Sequence, residues 1–220
     1  MIRTLIDSLV SSTSVIRGAA IGAVAAVALA GATQAATVDI TGSVSSTGGY
    51  NNFATQLNAA LGGNAVLLAP ASITAMAMVG LTFTAVGAES SFNNSFSVAG
   101  LGTLSENGNF GFPSSNLLTT PGSGSMTGVF SGLLDGLLSF TNNIGLTVNL
   151  GDQEFGVFTQ GGAGQHSVFF LAFDDNGAGP DDNHDDFLIR VNVIPLPAGG
   201  VLLIGGLGAL AALRRRRKPA

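Results

Sequence analysis

Six aspartates fall within thirteen residues of this chain: Asp174, Asp175, Asp181, Asp182, Asp185 and Asp186, in the run "DDNGAGPDDNHDD". Asn176, Asn183 and His184 stand between them. Carboxylates crowded in this way repel one another unless water, hydrogen bonds or a cation compensates. A hard cation with oxygen ligands fits that chemistry, and Ca2+ takes about six to eight oxygens from carboxylates, amides and backbone carbonyls. The candidate ligands are Asp174, Asp175, Asp181, Asn183 and Asp185. On an extended backbone, Asp181, Asn183 and Asp185 would present three oxygens to one side. The run is not an EF-hand, because the required glycine and the distant bidentate glutamate are missing. The competing expectation is a solvated acidic turn, in which Asp and Asn bond their own backbone.

Other chemistries find less support. The chain has two histidines, His166 and His184, no cysteine and no H-E-x-x-H spacing, so a zinc site is not expected. His184, Asp185 and a serine make a triad only on paper, since no G-x-S-x-G elbow accompanies them. Adjacent loop aspartates do not flank a cleft as glycosidase carboxylates must. Without tryptophan, and with Tyr50 alone, the aromatic platform for sugars is thin. We expect no catalytic residue and no enzymatic activity. Glu89, Asn93 and Asn94 read as a hydrogen-bonding cluster at a strand edge.

The elements that must position the acidic run are read from residues 36–192. Twelve acidic residues there face one basic residue, Arg190. That balance excludes nucleic acid as a partner. No cysteine means no disulfide framework, so the fold depends on its core. "ITAMAMVGLTFTAVG" alternates with period two, as one long strand or a bent pair breaking near Gly80. "IGLTVNL", "EFGVFTQ", "HSVFFLAF" and "DFLIRVNV" are further β-rich runs between turn compositions. Helix is indicated only in "NNFATQLNAAL" and "SGLLDGLLSF". "NGNFGFPSSNLLTTPGSGS" reads as a long surface loop. The fourteen phenylalanines are assigned mostly to the core. The fold class is mainly β: an antiparallel β-sandwich or jelly-roll-like exported domain, flanked by an N-terminal signal helix and a C-terminal transmembrane helix.

Both ends carry targeting signatures. Residues 1–35 place Arg3 and Arg17 before the apolar run "GAAIGAVAAVALAGA" and the small residues "TQAAT", the order of an export signal peptide cleaved after Ala35, with Ala32 and Ala36 as nearly equivalent positions. Residues 193–220 form the second signal. Ala198–Leu213 is free of charged and polar side chains, and as a helix it rises about 24 Å. Arg214, Arg215, Arg216, Arg217 and Lys218 follow and would stay cytoplasmic by the positive-inside rule. Both features give one topology, with residues 36–192 outside the inner membrane. Between body and span lies Ile194-Pro195-Leu196-Pro197-Ala198. An X-Pro-X-Pro segment is extended and cannot join a helix.

The order of proline motif, short span and arginine cluster resembles the PEP-CTERM class of bacterial sorting signals, and more closely its VPLPA-CTERM variant. Ile194 stands where the name-giving valine would be. The resemblance covers residues 194–218 and implies recognition by an exosortase-type membrane protease, removal of the tail and delivery to the cell envelope or beyond. "FTAVGAESSFNNSF" and the "DDNHDD" loop are similar to segments of exported proteins with this tail; no activity comes with that likeness. The expected function is a non-enzymatic envelope, extracellular-matrix or biofilm protein, anchored in the membrane by its C-terminal helix until processed. The alternative is a calcium-dependent module that binds exopolysaccharide.

Overall fold

A 23-residue strand, β2 (Ala65–Gly87), organises the domain. Straight, it would span roughly 75 Å, whereas a chain of about 160 residues packs to a radius of gyration near 15 Å, so the strand must curve. The computed structural model describes residues 36–45, 53–88, 90, 92–106, 124–175 and 183–196, and Ala35–Pro197 forms one compact unit. Along β2, Ile73, Ala75, Val79, Leu81, Phe83 and Ala85 are buried, as alternation predicts. Met76, Ala77 and Met78 are exposed, where the pairing with β5 (Ser125–Leu133) shifts register. The strand does not break at Gly80, which pairs with both Val129 and Ile194.

Each part of β2 has its own neighbours. Residues 65–68 pair with β8 (Phe155–Gln160) and residues 80–87 with β11 (Phe187–Ile194). On the opposite edge lie β1 (Val38–Val44) and then β5. β10 (Val168–Phe173) joins β8 to β11, so the pairings β2–β8–β10–β11–β2 close a circuit. β9 (Gly164–His166) extends the sheet beyond β1. A second sheet runs β4 (Gly102–Ser105), β3 (Ser95–Val98), β6 (Leu138–Thr141) and β7 (Thr147–Asn149). Every named pairing is antiparallel, and the two sheets share one core. The architecture is thus mainly β and sandwich-like.

Phenylalanines join the layers. Phe140 on β6 lies flat against Phe173 of β10, with centroids 5.1 Å apart and planes 1° from parallel. It also meets Phe155 at 4.8 Å, Phe96 at 5.1 Å and Phe187 at 6.0 Å. A second cluster fills the other face of the large sheet, where Leu57 and Leu61 of helix α1 (Ala54–Leu61), with Phe53, cover Leu67, Phe158, Phe170 and Leu188. Gly62 ends the helix with a left-handed φ of 83°, a conformation glycine adopts without strain. β10 is therefore buried on both faces, which explains its continuous apolar sequence.

The helix expected in "SGLLDGLLSF" is replaced by the end of β5, a turn and β6. Asp135 holds that turn: its Oδ1 accepts from Ser72 Oγ at 3.0 Å and from Ile73 N at 3.2 Å. The signal segment ending at Ala35, the span 198–213 and the basic cluster 214–218 lie outside the described residues. Most of the segment read as a long loop, 107–123, lies outside them too.

A buried acidic corner between the sheets

β10 runs out at Phe173 into Asp174 and Asp175, and residues 183–186 lead back into β11 at Phe187. The end of the hairpin is held by Asp186 N donating to Phe173 O at 3.2 Å and by Asp174 N donating to Glu154 O at 3.0 Å. Asp186 Oδ2 in turn accepts from Asp175 N at 2.8 Å. These residues are not a solvated turn. Asp174, Asp175, Asn183, Asp185 and Asp186 are all buried, at 1–9% exposure, and His184 is fully enclosed.

The second sheet supplies the other wall. Asn94 and Glu106 flank the β3–β4 hairpin and bond each other twice: Glu106 N donates to Asn94 O at 2.9 Å, and Asn94 N donates to Glu106 Oε2 at 3.0 Å. Asn94 Nδ2 reaches Asp175 Oδ2 at 2.8 Å and Asp186 O at 3.4 Å. Asn142, just after β6, donates from Nδ2 to Asp175 O at 3.2 Å, while its Oδ1 accepts from Ile144 N and Leu146 N. Ser90 donates its hydroxyl to Asp175 Oδ2. Asp175 is thus the joint between the sheets.

The electrostatics are one-sided. Burial raises the Glu106 carboxyl to about 7, against the opposing effect of the Asn94 N–H, and the Asp175 charge raises it further. Burial likewise lifts Asp186 to about 8, with Asp175, Asp174 and Asp185 adding to the effect and the Asp175 N–H opposing it. The charged neighbours acting on both groups are carboxylates. Arg190, the body's sole basic residue, sits on β11 opposite Phe170 and Thr84, where burial lowers its pKa.

Of the candidate calcium ligands, Asp174, Asp175, Asn183 and Asp185 are brought to this corner; Asp181 lies outside the described residues. The one-sided alternation imagined for Asp181, Asn183 and Asp185 fails at His184, whose φ of 53° is left-handed rather than extended. Among the described residues, no three Asp, Glu or His side chains are already arranged as a metal cage. Sequence reading missed Ser90, Glu106 and Asn142. Asn94 was noticed, and the signal for Glu106 was its mirrored place at the other foot of a short hairpin.

The arrangement gives no support to hydrolysis. His184 Nε2 donates to Gln153 O at 2.9 Å, and the ring packs over Gly156, where a Cβ would lie 2.6 Å from His184 Cδ2. His166 Nε2 donates to Gly162 O at 2.9 Å. Ser90, the corner's hydroxyl, is bonded to Asp175.

The proline motif begins at the last residue of β11. Ile194 is 41% exposed, Pro195 is exposed and Leu196 half-buried; Pro197 and Ala198 lie outside the described residues. Among the described residues no helix is long and apolar enough to cross a membrane. No family model, no curated protein and no solved structure matches this chain.

Proposed function

We propose that this chain is an exported, non-enzymatic β-domain of the cell envelope or extracellular matrix, released or transferred by an exosortase-type protease acting at Ile194–Ala198. The observation that carries the reading is the placement of Ile194 and Pro195, exposed where the last strand of the compact unit ends. A sorting protease needs its motif accessible, and although Ile194 still pairs with Gly80, Pro195 after it has no N–H to continue the ladder. The flanking signal helix, the transmembrane helix at 198–213 and the basic stop at 214–218 belong to the same proposal, as does the jelly-roll assignment. Replacing Pro195 and Pro197 by alanine is expected to block processing and to leave a full-length membrane species, read by blotting of fractionated cells. Unchanged processing would refute the motif's role.

A second reading, exopolysaccharide binding, is favoured by the outer face of the small sheet. The described carboxylates of the acidic loop are themselves buried. Instead, register places Ser105, Ser95, Thr141 and Thr147 in one row across four strands, and Thr103, Ser97, Ser139 and Asn149 in the next. An open depression of about 370 Å³ adjoins the second row, lined by Ser97, Thr103, Ser139 and Asn149 among others. Such an uncharged hydroxyl face suits a neutral glycan. On a glycan array the protein is expected to bind neutral polysaccharide, and to lose it with Ser97→Lys and Ser139→Lys together; silence across the array removes this reading.

A further inference from the structure

We propose that the acidic corner is a divalent-cation site, of the calcium class, seated between the two sheets on Asp175 and Asn94. Two acceptors carry the inference. Asp175 Oδ1 and Asn94 Oδ1 are buried and have no hydrogen-bond partner among the described residues. Their residues are 2% and 1% exposed. The orientation of the Asn94 amide is not arbitrary. Its Nδ2 faces two acceptors, Asp175 Oδ2 and Asp186 O, so the amide atom left without a donor among the described residues is the oxygen.

A buried acceptor without a donor costs free energy, and a buried carboxylate without a counter-charge costs more. Asp175 Oδ2 is already served by Ser90 and Asn94, which leaves Oδ1 as the carboxyl oxygen with no donor among the described residues. Two further carboxyl groups, Glu106 and Asp186, lie within one hydrogen bond of the same two residues. Oxygen donors of this kind, carboxylate with amide, select hard cations over zinc or copper. Two side-chain oxygens do not fill the coordination shell of Ca2+, so water supplies further ligands. The ion would join β3 and β4 to the β10–β11 hairpin through one charge, close to the sorting motif in sequence but independent of the sorting proposal.

The test uses the full chain in detergent, stripped with chelator and dialysed at pH 7.5. Titration with CaCl2 is expected to give saturable heat for one site, and a melting temperature raised by about 5 °C or more at hundredfold excess over Kd. Asp175→Asn should abolish both responses, whereas Asp152→Asn, an exposed acid elsewhere, should keep them. If Asp175→Asn does not fold, Asn94→Ala is read in the same way. No heat and no thermal shift would overturn the site, leaving water or protons as the corner's only ligands. An equal response from wild type and Asp175→Asn would also overturn it, by placing the ion elsewhere.

Discussion

Phe140→Ala is expected to destabilise the domain by about 3–5 kcal/mol, the range for deleting a fully buried aromatic ring. Phe140 has no exposed surface and meets four other phenylalanines, from β3, β8, β10 and β11. Truncation removes these ring contacts between the small sheet and the closed circuit of the large one, leaving Phe96 against Phe83 at 5.5 Å. Urea unfolding followed by far-ultraviolet circular dichroism measures the effect. A loss below about 1 kcal/mol would mean that the sheets are held together by something other than this aromatic stack. Phe140→Leu retains much of the volume and should cost less than half as much.

The second large effect concerns pH. Glu106 and Asp186 have folded-state values raised to about 7 and about 8, from ordinary values of 4.5 and 3.8. Between those limits the folded protein holds protons that the unfolded chain has released. Stability is therefore greatest below about pH 4 as far as these two groups are concerned, and falls as pH rises through about 8. That is the reverse of ordinary acid denaturation, in which paired carboxylates lose stability on protonation. In chelator, the melting temperature should be several degrees lower at pH 8 than at pH 5. Glu106→Gln, which keeps a hydrogen-bond acceptor and removes the charge, should raise stability at pH 8 and flatten the profile. A profile that climbs from pH 5 to pH 8, or one unchanged by Glu106→Gln, would show that burial does not dominate these carboxyls.

Legibility followed burial on both faces. β8 and β10 are buried along nearly their whole length, and "VFFLAF" is a continuous apolar run that reads directly as a strand, whereas β11 reads through the alternation of buried Ile189, Val191 and Val193 with half-buried Arg190 and Asn192. β5 is an edge strand whose side chains are exposed or half-buried, and "SMTGVFSGL" shows no apolar alternation to detect. β3 and β4 hide for another reason: each is four residues long, with serine or threonine on the outer face. In "SGLLDGLLSF", Leu133, Leu134, Leu137 and Leu138 imitate helical spacing. Leu134 and Leu138 are buried, whereas Leu133 is 61% and Leu137 36% exposed, because a turn and not a helix joins the two strands.

The acidic corner was half visible for a similar reason. Six aspartates in one loop announce themselves, and their chemistry points to a cation or to water. Their burial does not, because it depends on residues from the other sheet. Asn94 lies 81 positions from Asp175, and Asn142 lies 33. Like-charged groups are expected at a surface, and only the tertiary pairing of β10–β11 with the feet of β3, β4 and β6 encloses them. The proline motif was visible in sequence in full. What the structure adds is that the last strand stops at its first residue.

Intact-mass analysis of the protein recovered from its native host tests the central claim most directly. The account predicts a species that begins next to Ala35 and ends within or just before Ile194–Ala198, lacking the apolar tail and the arginine cluster. A product that retains residues 1–35 and 199–220 would contradict it.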